Sequence, residues 1–211
     1  MAASTTEGKA ATRATGTRER IVRAALETLK AEGYAGTSAR DIARRGGFNQ
    51  ALIFYHFGSV NRLLLAAFDH ISAVRMARYR AAVERAQTLE EMLEVARMIY
   101  REDLEAGHMT VVSELMAGSM AHPELKPEIV ARMDPWIDLA EEAIRKVMAG
   151  SPFEDAFPTR QVAFAVVAFY GGINTLTNLS RERPEVEELF QTAGRLGPFL
   201  SAVLQTVPKN G

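Results

Sequence analysis

The chain has 211 residues, 47% of them hydrophobic and 24% charged, and a formal net charge of -1. That length allows one or two domains with a substantial core. With no cysteine, neither a disulfide framework nor a thiolate metal site can form. No run approaches the roughly 20 uninterrupted apolar residues of a membrane span, and no signal-peptide core opens the chain; a soluble, cytoplasmic protein with no membrane partner is expected.

The charge is unevenly placed. Residues 13–62 hold nine Arg/Lys against four Asp/Glu, a net of +5, whereas residues 63–211 carry a net of -6. A basic head on an acidic body fits phosphate attraction confined to one end. Residues 1–14, rich in Ala, Thr and Gly, read as a disordered arm. A first helix then has Thr17 as its expected cap and an apolar stripe of Ile21, Val22, Ala25, Leu26 and Leu29 that stops at Gly33.

Residues 37–57 hold two short helical patterns joined by a glycine turn. Thr37 and Ser38 can cap the first, in which Ala39, Ile42 and Ala43 face inward and Arg40, Arg44 and Arg45 outward. Gly46-Gly47 ends it, and Phe48 is placed to seat the turn on the core. Asn49 heads the second helix. Ile53 and Phe57, four apart, turn inward, leaving Gln50, Ala51, Phe54 and Tyr55 on or near the outer face. This spacing is that of a helix–turn–helix, whose second helix enters the DNA major groove. A long fourth helix is expected from after Gly58-Ser59 through Leu63, Leu64, Ala67, Phe68 and Ile71 into the Arg-rich residues 75–85, as a strut between two domains.

Beyond residue 85 the pattern is all-α, with helices near 88–106, 109–120, 124–149, 159–182 and 185–206, about nine in the chain. Pro123 and Pro184 sit near helix starts; Pro127, Pro135 and Pro198 are expected to kink or split their helices. Residues 150–158 read as a loop. Seven of the nine methionines lie between Met92 and Met148, a cluster suited to an adaptable apolar pocket. Its expected lining is Met98, Tyr100, Met109, Met116, Met120, Met133, Trp136 and Phe169, with Tyr170, Asn174 and His108 as polar groups that orient a ligand. The last two helices carry Val162, Val166, Phe169, Ile173 and Leu176, and Val186, Leu189, Phe190, Ala193, Leu196, Leu200 and Leu204. Paired antiparallel, they would form a four-helix seam with a two-fold partner.

From Arg18-Glu19-Arg20-Ile21 through Thr37–Ala43, Gly47-Phe48 and Phe54-Tyr55-His56-Phe57 to Leu63-Leu64, the chain resembles the tetracycline-repressor (TetR) family of bacterial regulators. The resemblance covers about a quarter of the chain. It implies a helix–turn–helix DNA-binding domain at 15–62 and a helical effector-binding and dimerisation domain at 63–211. It further implies a homodimer on a palindromic double-stranded DNA operator, acting as a repressor that a small apolar or aromatic molecule releases. The family's base-reading positions fall on Gln50, Ala51 and Phe54, with Arg40 able to fork onto guanine, and its backbone-binding positions on Ser38, Tyr55 and His56; Asn49 belongs to the same outward stretch. Two positions depart: Leu52 stands where many members have a hydroxyl, and Val60 where many have a phosphate-binding lysine. They support the alternative, a helical small-molecule-binding protein with weak or lost DNA recognition.

No cofactor is expected. The chain has neither a cysteine nucleophile, nor a phosphate-cradling glycine loop with its lysine, nor an HExxH motif, so an enzyme is not expected. His108, Glu114, His122 and Glu124 are the nearest approach to a metal set, at spacings that do not share one helical face.

Overall fold

The computed structural model describes residues 3–151, 154, 158–180 and 184–206. They form nine helices and, among the described residues, no strand: α1 Ala3–Glu32, α2 Ala39–Gly46, α3 Ala51–Phe57, α4 Val60–Arg85, α5 Leu89–Ala106, α6 His108–Ala121, α7 Leu125–Met148, α8 Thr159–Leu179 and α9 Pro184–Thr206. The all-α architecture follows the expected order closely. Residues 1–2, most of the 150–158 loop, residues 181–182 and the side chain of Leu204 lie outside the description.

The N-terminus departs from expectation. α1 starts at Ala3, so most of the stretch read as an arm is helical backbone, and Thr17 lies inside the helix rather than capping it. Ala3, Ala10, Ala11 and Ala14 are strong helix formers, no proline interrupts them, and extending an existing helix requires no new nucleus. The prolines split no helix. Pro127 lies in the first turn of α7, where the missing amide has no intrahelical acceptor to lose. Pro135 and Pro198 lie within α7 and α9 without splitting them.

The contacts divide the chain into two compact units, Met1–Ser72 with Thr110–Ile129, and Ala73–Met109 with Val130–Gly211. The chain therefore crosses between units inside α4, α6 and α7, not at a loop. In the first unit, Ile21, Ala25 and Leu29 of α1, Ile42 of α2, Ile53 and Phe57 of α3 and Leu63, Leu64, Ala67 and Phe68 of α4 form the buried core, joined by Val111 and Leu115 of α6. α2 and α3 are too short to be stable alone; burial of these faces holds them. In the second unit, Tyr79, Val83 and Leu139 make a buried cluster against which Met76, Met92, Met98, Ile99 and Trp136 pack.

Candidate nucleic-acid interface

Caps fix the two short helices. The Ser38 hydroxyl accepts from the Asp41 amide at 3.2 Å and donates to the Asp41 carboxylate. That hydroxyl, followed by Arg44 at 2.8 Å, holds the Asp41 carboxyl below its usual pKa. Gly47 ends α2 at φ 64°, a left-handed geometry glycine adopts without penalty, and its amide bonds Ala43. Gly46 is needed for a different reason: a Cβ there would lie 2.2 Å from the Phe48 ring and 2.8 Å from Ala24. Gly46→Ala is therefore expected to destabilise the head by about 1–3 kcal/mol through overpacking, read as a lowered thermal midpoint. The Asn49 side chain accepts from the Ala51 amide at 2.8 Å and its carbonyl from Leu52 at 3.0 Å, so Asn49 supplies the side-chain cap of α3 one residue ahead of the N-cap position, which falls on Gln50.

With Ile53 fully buried and Phe57 nearly so, the opposite face of α3 must turn outward. Phe54 is 51% and Tyr55 82% exposed; Asn49, Gln50 and Ala51 are exposed and His56 half-buried. Arg40 and Gln50 line one shallow open depression with Arg44, Gly47, Phe48 and Asn49, between α2 and the start of α3. Arg45 is paired with Glu32 at 3.1 Å, whereas Arg40 has no ion-pair partner among the described residues. The Tyr55 ring meets His56 edge-on at 4.9 Å, with no hydrogen-bond partner for its hydroxyl among the described residues. Ser38 is exposed, but its hydroxyl is engaged in the α2 cap.

Of the two departures, Leu52 is half-buried and Val60 opens α4 half-buried. Arg62, exposed two residues on, lies beside Gly58, with its Nη1 3.6 Å from where a Cβ would be. A cation thus stands at the α3–α4 turn despite Val60.

Tyr34, between α1 and α2, was not singled out from the sequence. Its amide donates to Glu114 of α6 at 2.7 Å, its hydroxyl to Asn61 of α4 at 2.8 Å, and its ring sits against Gly118. Glu114 is thereby a helix-docking acceptor. His122 and Glu124 pair with each other at 3.2 Å. No local pattern marks such a long-range contact.

The pocket residues are distributed between the units. Met116 and Met120 belong to the first and are exposed. Met98, Tyr100, Met109, Met133, Trp136, Phe169, Tyr170 and Asn174 belong to the second, where Tyr100 and Asn174 are buried, Met98, Met109, Met133, Trp136 and Tyr170 half-buried and Phe169 exposed. At the polar centre of this unit lies Asp103, fully buried and unforeseen. It accepts from Arg75, from Tyr79 at 3.0 Å, from Tyr170 at 2.5 Å and from His108 at 3.2 Å. Burial alone would raise its pKa, but the donors from His108, Arg75, Tyr170 and Tyr79 outweigh burial and hold it below the usual carboxylate range. Burial and the adjacent carboxylate push Tyr79 up to about 12 and Tyr170 higher still, so both phenols stay protonated donors.

A tri-helical head whose second short helix presents an open polar and aromatic face beside exposed Arg40 has the geometry of a helix–turn–helix. Residues 21–67 match the profile of bacterial regulatory proteins of the tetR family. Over 51 residues the chain is 43% identical to a helix-turn-helix transcriptional repressor of Mycobacterium tuberculosis, covering 24% of this chain and 27% of that protein. The match thus spans about a quarter of that relative's length. Two solved structures share the fold over 90% of this chain. The fatty acid degradation regulator FadR of Bacillus halodurans has a TM-score of 0.71 at 16% identity and is covered over 95% of its length. FadR of Bacillus subtilis, in complex with stearoyl-CoA, has a TM-score of 0.70 at 13% identity and is covered over 99%. Residues 21–67 thus carry a helix–turn–helix domain of the tetR family, and the solved structures show the fold of the remainder.

Proposed function

We propose that this protein is a ligand-controlled transcriptional repressor that binds a palindromic operator as a homodimer in the cytoplasm. The observation that carries the reading is the outward face of Gln50, Ala51, Phe54 and Tyr55 next to Arg40. Gln50 can bond the N6/N7 edge of adenine, Arg40 the O6/N7 edge of guanine, and Ala51 and Phe54 can pack on a thymine methyl. Tyr55, His56 and Arg62 can meet phosphates and set register. For Ser38 to do the same its proton must leave the Asp41 carboxylate.

Release needs a ligand that prefers one of two states. α4 supports this, since the helix that follows α3 continues without a break into the second unit. A small apolar or aromatic molecule held among the half-buried methionines and Trp136 would act on that helix, and the B. subtilis FadR complex shows a protein of this fold holding a small molecule. The homodimer is supported by α8, which turns polar Asn174 and Thr177 inward and apolar Phe164, Phe169, Leu176 and Leu179 outward. By length and composition α8 could cross a membrane; we assign its apolar face to a second copy because its inward polar residues are bonded within the unit, Thr177 to Tyr100 and Tyr170 to Asp103.

Base readout and phosphate contact separate experimentally. Gln50→Ala is expected to cost about 1–3 kcal/mol and to relax preference at one position of each half-site. Tyr55→Phe should weaken every DNA alike. Anisotropy titrations on an operator and its single-base variants check both, and equal losses on all DNAs for Gln50→Ala would refute base readout.

A further inference from the structure

We propose that the effector is received by Arg75 and presents it with a carboxylate beside the face of Trp136; this rests on the ligand-release reading above. Asp103 already has four donors, two on each oxygen: Tyr79 and His108 on Oδ1, Arg75 and Tyr170 on Oδ2. Its acceptor capacity is filled. Arg75 is different. It is only 6% exposed, yet its buried Nε has no hydrogen-bond partner. The buried hydrogen-bonding group left without a partner at this charged centre is therefore a donor, Arg75 Nε.

The surroundings fit an amphipathic guest. The guanidinium carbon of Arg75 lies 4.6 Å from the Trp136 ring centroid and 5.7 Å from that of Tyr79, and Met76, Met98 and Trp136 are only partly buried. An acceptor at Nε would leave its apolar part against these residues. The centre is tied to the start of α6. His108, bonded to Asp103, is the first residue of α6, the helix whose Glu114 holds the Tyr34 amide in the first unit.

Trp136 is the sole tryptophan, so its emission reports on this site. The full chain is titrated with two shape-matched pairs, 3-phenylpropanoate with 3-phenylpropylamine and octanoate with octylamine. A carboxylate is expected to change the emission saturably at concentrations at least tenfold below its amine. Arg75→Lys, which keeps the charge but lacks Nε, should erase that preference, as should Arg75→Met combined with Asp103→Leu, which leaves no lone buried charge. The proposal is overturned if neither carboxylate gives a saturable change, if the amines bind equally, or if both variants keep the preference. A carboxylate that binds here without loosening operator DNA supports the site and defeats the ligand-release reading. Release of DNA by a compound that leaves Trp136 emission unchanged defeats the site and keeps that reading.

Discussion

Leu176→Asp combined with Phe199→Asp is expected to break the proposed dimer and to lower affinity for a two-half-site operator by about 10²–10⁴-fold. That range is what is lost when a second binding event ceases to be intramolecular. The side chains are 54% and 67% exposed in the single chain, so the substitutions remove nothing from its core. Aspartate at the centre of an apolar two-fold seam, by contrast, would be buried without a partner charge. Light scattering and operator anisotropy on the same preparation test the expectation. An unchanged mass would assign the seam elsewhere, and an unchanged affinity would mean that one head suffices.

Asp103→Asn should destabilise the second unit by about 3–5 kcal/mol at neutral pH, because it leaves the Arg75 charge buried without its counter-ion. The effect depends on pH in a defined direction. The folded-state pKa of Asp103 lies below its unfolded value of about 3.9. Its ionic stabilisation is thus fully present above that unfolded value and is lost as pH falls through the folded one. Urea midpoints of the parent and Asp103→Asn should accordingly differ widely at pH 7, and the gap should begin to narrow as pH falls below about 3.9. A gap that does not narrow below that pH would show that the loss comes from shape alone.

The head was legible because its signals are local. Ser38, Gly47 and Asn49 cap or terminate at fixed offsets, and Ile53 and Phe57 fix the inner face of α3, which places Gln50 and Tyr55 by elimination. The helices of the body followed from apolar spacing and punctuation for the same reason. What the sequence concealed is non-local. Arg75 sits in an arginine-rich run with no local signal of burial, yet it is buried where Asp103, twenty-eight residues on, meets it. Tyr34 looks like an ordinary turn aromatic until α6 is docked on it. α8 reads as simply apolar, while its interior side is the polar one; periodicity identifies a helix face without saying which face is covered.

The most direct test is selection of bound sequences from random duplex DNA by the full chain. If α3 offers base-reading side chains, an inverted repeat should be enriched, with half-site centres about 34–36 Å apart along the helix, and Gln50→Ala should select a repeat relaxed at one position of each half. Binding that is salt-sensitive yet enriches no sequence, or the same repeat recovered unchanged with Gln50→Ala, would contradict the assignment of α3 to the major groove.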